Sequence, residues 1–134
     1  MGKILQGARG IEVRPSPLGG YGVFATQLIS QGETVEECYY LPLRNPWEAT
    51  DSGIKKYVFR RATGLYGSPV SAYKAAVVLG CGMIYNHSSR PNVTYSQDIL
   101  HKIFRFTAFK DISPNKELFI DYGNASLAGA HIKA

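Results

Sequence analysis

The chain of 134 residues is short of the groups that staple small proteins, ligate metals or cross membranes. Its two cysteines, Cys38 and Cys81, can form one disulfide at most and fall short of the four ligands of a structural zinc site. Neither a disulfide scaffold nor a zinc module is therefore indicated, the thiols are expected to be buried, and no metal is expected. Charge is also sparse: Asp, Glu, Lys and Arg make up 19% of the residues against 45% hydrophobic, which excludes a chain kept disordered by its own charge. Long apolar runs are missing too. The longest, Ala75 to Ile84, is interrupted by Gly80 and Gly82 and falls well short of the roughly 20 residues that span a bilayer. The first ten residues, MGKILQGARG, hold no apolar h-region, and Gln6 stands where a myristoylation signal takes Ser or Thr. A soluble intracellular protein, cytoplasmic or nuclear, is the expectation. At roughly 150 residues per domain, the length leaves room for one domain and excludes a second catalytic one.

What is present is core material: nine Tyr, six Phe and one Trp. The net charge of +5 admits nucleic acid, anionic lipid or a small anion as partner, but the basic residues are scattered and choose none of them. Ile11 to Arg14, Val23 to Thr26, Thr34 to Leu41 and Ile103 to Phe109 read as strands, rich in β-branched and aromatic residues and bounded by turn formers. Lys116 to Ile120, after a turn at Ser113-Pro-Asn115, makes a fifth, and Val93 to Ser96 a sixth. Helical spacing is confined to Trp47 to Ala62 and Ala72 to Leu79. The fold class expected is mostly β with short helices. Glycines cluster at Gly19, Gly20 and Gly22 and at Gly80 and Gly82, each cluster either a turn or a wall against which a ligand approaches the backbone.

Three stretches set polar groups beside apolar strands: Leu18-Gly-Gly-Tyr-Gly-Val-Phe24, Asn86-His-Ser-Ser-Arg-Pro-Asn92 and Glu117-Leu-Phe-Ile-Asp-Tyr-Gly123. In this order, with a variable insert between the first two, they resemble the SET-domain protein lysine methyltransferases, which use S-adenosylmethionine as methyl donor. The glycine stretch alone is a weak signal; the other two in combination are specific. The resemblance spans about residues 11 to 123 and is to small stand-alone members without flanking pre-SET or post-SET zinc modules. It implies a single domain over 1–134, with core 11–123, an insert at about 44–80 and a tail at 124–134. It also implies a β-clip type fold of small sheets with a C-terminal pseudoknot, in which the chain near Asp121-Tyr122 threads under a loop and Pro91 and Asn92 are architectural.

Methyl transfer from a sulfonium to an amine is an in-line displacement that needs close approach, exclusion of water and an uncharged nitrogen, but no metal. Presenting a lysine neutral near pH 7 costs roughly 4 to 5 kcal/mol unless an apolar channel and a neighbouring positive charge lower its pKa. Tyrosines suit this task, with a flat apolar face for the butyl stem and a hydroxyl to orient the amine. By resemblance, Tyr122 is the catalytic tyrosine, and Tyr21 and Tyr57 line the lysine channel. Tyr57 reads equally as a helix-face core residue. Tyr95 either reaches the channel and limits the product to one or two methyl groups, or is a cross-strand packing residue. Asn86 and His87 match the residues that hold the donor, Asn86 at its amino-acid end and His87 through its backbone at the adenine, while backbone at Gly20, Tyr21 and Gly22 approaches the amino-acid moiety.

The pattern departs from the family in two places. Met83 stands where members often carry an arginine, which removes one contact or brace, and the tail 124–134 offers neither zinc-binding cysteines nor an aromatic to close the site. Closure then falls to His131 or Ile132 folding back, to the substrate or to a second copy, and a homodimer is favoured because so small a domain leaves apolar surface uncovered. The expected partner is a lysine-bearing protein or peptide, with a histone tail among the candidates and Glu36, Glu37, Glu48 and Asp51 as an acidic rim for it. Direct nucleic-acid binding is not expected. The competing reading is a non-catalytic SET-like module that binds a lysine-bearing peptide or nucleic acid, against which stands the joint presence of Tyr122, Asn86 and His87.

Overall fold

Hydrophobic burial along β-rich segments builds ten strands in the computed structural model, which describes residues 4–43, 57, 59–61, 75–98, 100–122 and 131–133. They are β1 (Ile11–Pro15), β2 (Tyr21–Ala25), β3 (Thr34–Leu43), β4 (Phe59–Arg61), β5 (Ala75–Val78), β6 (Asn86–His87), β7 (Val93–Asp98), β8 (Ile103–Ala108), β9 (Glu117–Ile120) and β10 (His131–Lys133). One sheet has four strands in the order β1-β2-β9-β6, the other six in the order β10-β4-β5-β3-β8-β7. All six strands read from the sequence are present.

Among the described residues there is no helix. The turn of helix expected within Ala72 to Leu79 is corrected to strand β5, which pairs with β3 on one side and β4 on the other. Val77 and Val78 are β-branched, and a ladder on both edges satisfies the backbone while Ala76 and Val78 become fully buried. The expected helix Trp47 to Ala62 ends instead in β4, where Phe59 is buried between rings of the larger sheet. Apart from Tyr57, which lies in a turn, the rest of that segment is outside the described residues, as are most of the insert, Gly123 and residues 124–130 of the tail. The tail's end returns as β10 along β4.

The core joins both sheets. Val23, Leu118 and Ile120 of the smaller pack with Val93, Phe104 and Phe106 of the larger. A bulge on β3 at Val35, which shifts the register between Thr34 and Glu36 against β8, is followed by two buried glutamates. Glu36 meets the turn at Gly80 and Cys81, and Glu37 accepts hydrogen bonds from Arg105 and from the Gln6 amide, both at 2.9 Å. These two residues therefore form no acidic rim: each carboxylate is spent inside the protein, and Glu48 and Asp51 lie outside the described residues. Both cysteines are free, Cys38 buried and Cys81 half-buried. No helix among the described residues is long and apolar enough to cross a membrane.

Candidate active site

The two motifs far apart in sequence meet through a parallel pair. β6 runs beside β9, with Asn86 opposite Phe119 and His87 opposite Ile120. Asn92 secures the crossing with both ends of its amide: its Nδ2 donates to the Glu117 carbonyl at 2.9 Å, and its Oδ1 accepts from the Phe119 amide at 2.7 Å. The Ser88 amide donates to the Ile120 carbonyl at 3.0 Å, and two residues after β9 the chain lies against the 86–92 loop. There the Tyr122 amide donates to His87 Nδ1 at 2.9 Å. An imidazole nitrogen that accepts carries no proton, so in this arrangement the His87 ring is protonated at Nε2 when neutral.

These bonds fix Tyr122, whose ring lies 5.2 Å from that of His87. Its hydroxyl donates to the Tyr85 carbonyl at 2.6 Å. Burial, with the Tyr57 phenol and the Glu117 carboxylate nearby, pushes the Tyr122 hydroxyl up to about 12, so it stays a neutral phenol at physiological pH.

Beside this point a cavity of about 490 Å³ opens, within the size range of small-molecule sites. One wall is the β1–β2 turn with Gly19, Gly20 and Tyr21, another is Met83, Ile84 and Asn86, and Val13 and Tyr57 complete it. Gly19 and Gly20 take φ of 100° and 62°, left-handed conformations that side chains oppose, and nothing lies within 4 Å of where a Cβ would project. Gly22 is needed for a different reason: a Cβ there would stand 2.1 Å from Glu117 Oε2 and 2.9 Å from Asn86 Nδ2. The space that it leaves is filled by a polar cluster. Asn86 Nδ2 donates to Glu117 Oε2 at 2.7 Å and to the Tyr21 carbonyl at 3.1 Å, and Ser16 Oγ donates to Glu117 Oε1 at 3.0 Å. Asn86 is thereby held at the cavity edge by both bonds of its Nδ2.

Tyr21, Tyr57 and Asn86 thus border one cavity; Tyr122 and His87 are not among its lining residues, and Tyr122 is tied to the wall through the carbonyl of Tyr85, which lies between Ile84 and Asn86. Tyr21 and Tyr57 are largely exposed, as cavity walls rather than core residues. Tyr95 differs: it is buried at 2% exposure among Phe59, Phe104 and Phe106, and burial, then the charge of Asp121, pushes its phenol well above the usual range. It is not among the residues that line the cavity, and its ring packs across the larger sheet. Sequence reasoning passed over Glu117 and Ser16, although Glu117 opens the third motif; an acid at the head of an apolar strand facing a glycine was the available signal.

The cavity fits an amino-acid-bearing sulfonium nucleoside in the chemistry of its walls: approachable glycine backbone and the Asn86 amide for the charged end, and Met83, Ile84 and Val13 for apolar parts. The chain is similar in sequence and fold to several known proteins. A histone-lysine N-methyltransferase, H3 lysine-37 specific, of Schizosaccharomyces pombe is 27% identical over 85% of this chain and 74% of its own length. The crystal structure of a candidate histone methyltransferase of Plasmodium falciparum superposes with a TM-score of 0.65 at 28% identity, over 87% of this chain and 95% of that one. CpSET8 from Cryptosporidium, at 20% identity and a TM-score of 0.62 over 85% of this chain and 57% of its own, shares the fold. The SET-domain family model matches residues 20–123, most of the chain and all three motifs but for the first two residues of the glycine stretch, and the chain belongs to the SET-domain family.

Proposed function

We propose that the chain is an S-adenosylmethionine-dependent protein-lysine N-methyltransferase. Family membership and the fission-yeast relative support lysine methyltransferase activity at the level of the family. The observation that carries the reading to these residues is the Tyr122 hydroxyl, fixed on the Tyr85 carbonyl beside a cavity walled by glycine backbone and Asn86.

S-adenosylmethionine, when bound, supplies a methyl group on a positively charged sulfur. Asn86 and the backbone at Gly20, Tyr21 and Gly22 would hold its amino-acid end and the backbone of His87 its adenine. The phenol rings of Tyr21 and Tyr57 supply apolar faces for the lysine stem, which favours loss of the amine proton. Tyr122, its O–H engaged as donor to a carbonyl, keeps its oxygen lone pairs as an acceptor that would aim the amine N–H and leave the nitrogen lone pair free to face the methyl carbon. The Tyr95 hydroxyl, on the sequence reading, would limit the room for added methyl groups and hold the product at one or two. The substrate lysine belongs to a protein, with histone tails the first class to screen. His131 or Ile132 of the tail, the substrate itself or a second copy closes the cavity.

Calorimetric titration with S-adenosylmethionine, with Asn86→Ala and Tyr122→Phe alongside, tests the reading. The wild-type protein is expected to bind, Asn86→Ala to lose at least about tenfold in affinity and Tyr122→Phe to bind normally. Tyr122→Phe should then lose at least about a hundredfold in kcat on a lysine peptide, the products being counted by mass. Normal turnover by Tyr122→Phe, or no binding by the wild type, overturns it in favour of a module that kept the fold without the reaction.

A further inference from the structure

We propose that Glu36 and Tyr85 form a buried brace that positions the Tyr122 hydroxyl, so that Glu36 governs turnover without touching substrate or donor; the inference rests on Tyr122 being the catalytic tyrosine. Glu36 is 4% exposed. Its Oε2 accepts the Cys81 amide at 3.0 Å and its Oε1 the Tyr85 hydroxyl at 3.0 Å, so one carboxylate ties both ends of the 81–85 turn to β3. The Tyr85 ring is itself fully buried, edge-on to Phe106 at 4.7 Å. The carbonyl of this same residue receives the Tyr122 hydroxyl.

The direction of that carbonyl is the direction of the peptide plane between Tyr85 and Asn86. On one side the plane is anchored by the Tyr85 ring and its bond to Glu36, on the other by Asn86 in the grip of Glu117 and the Tyr21 carbonyl. A rotation of the plane would move the Tyr122 oxygen, and displacement of a reacting group by about 1 Å costs an enzyme on the order of a hundredfold. Met83, standing where an arginine brace was expected, lies in the cavity wall and leaves the turn to be held from inside. An apolar pair could fill the Glu36 and Tyr85 positions without the desolvation cost of a buried carboxylate, but it would supply no directional bond to the turn.

The two grips make separable demands. Asn86 has its own anchors, so loosening Tyr85 should impair turnover and spare donor binding. In Tyr85→Phe, kcat is expected to fall about tenfold with the donor Kd changed by less than about threefold. Glu36→Gln, which keeps an acceptor for the Tyr85 hydroxyl, should retain more activity than Tyr85→Phe. The double variant Glu36→Leu/Tyr85→Phe removes both side chains of the brace, though it also leaves the Cys81 amide without its acceptor, and kcat is expected to stay low whatever its melting temperature. Recovery of kcat together with melting temperature, or a donor Kd that weakens in proportion to kcat, overturns the brace. Should the double variant not fold, Tyr85→Phe in a Tyr122→Phe background decides: no further loss is expected, and a full additional loss overturns it. Normal kcat in Tyr85→Phe with an inactive Tyr122→Phe rejects the brace alone, whereas normal kcat in Tyr122→Phe rejects the catalytic assignment beneath it.

Discussion

Across the six-stranded sheet, the rings of Phe59, Tyr95, Phe104 and Phe106 meet at centroid distances of 5.2 to 6.4 Å. In the four-stranded sheet the groups that face the cavity are held by carboxylate and amide bonds instead, with Glu117 joining Ser16 to Asn86. Ring packing yields large burial energy with little directional demand, because dispersion and hydrophobic terms tolerate small shifts. Hydrogen bonds contribute less net stability but fix direction. The larger sheet should therefore set whether the chain folds, and the smaller one how well the folded chain works.

The most severe test of that division is Phe106→Ala. Phe106 is fully buried and touches Tyr85, Tyr95 and Phe59, so truncation should cost about 3–5 kcal/mol, read as a large fall in melting temperature. At a temperature where the variant remains folded, its donor affinity should stay within about a few-fold of the wild type, because Asn86 is held by Glu117 and the Tyr21 carbonyl rather than by the rings.

Gly22→Ala tests the other side. Its Cβ would meet the free end of the Glu117 side chain rather than backbone, so the carboxylate can swing away and release Asn86. The stability cost should be about 1–2 kcal/mol, smaller than for Phe106→Ala, and the donor affinity should nonetheless fall about tenfold in calorimetry. A variant that melts far lower but binds donor normally would erase the distinction between the sheets.

How much of this was legible in the sequence follows the same division. The strands announced themselves through β-branched and aromatic residues between turn formers, and Asn86, His87 and Tyr122 through motifs that gather polar groups beside apolar runs. β5 escaped because Ala75-Ala-Val-Val has no alternation, and a short buried strand is not distinguishable from helix by periodicity. Glu36 and Glu37 were read as a surface rim because acids are seldom buried unless paired. The bulge at Val35 and the partners that receive them, Tyr85 and Arg105, come from segments 49 and 68 residues away, a tertiary arrangement that no local pattern encodes.

Two partly buried acids, Cys81 and Tyr122, should also reveal themselves in alkali, with the smallest effect. Burial and then the Glu36 carboxylate raise Cys81 from 9.0 to about 11, and burial first also raises Tyr122 from 10.0 to about 12. In each case the folded state keeps a proton that the unfolded chain gives up, so this contribution is fully present below the unfolded value and is lost as pH rises through the folded one. Stability should decline from about pH 9 upward, the thiol acting between about 9 and 11 and the phenol between about 10 and 12. Because Cys81 is half-exposed, its share is about 1 kcal/mol or less after solvent screening. Thermal melts of Cys81→Ala against wild type across this range should show a shallower decline for the variant between about pH 9 and 11, whatever its absolute melting temperature. Parallel curves would mean that the Cys81 thiol is solvated in the folded state, and that the turn clamped by Glu36 opens more readily than its hydrogen bonds imply.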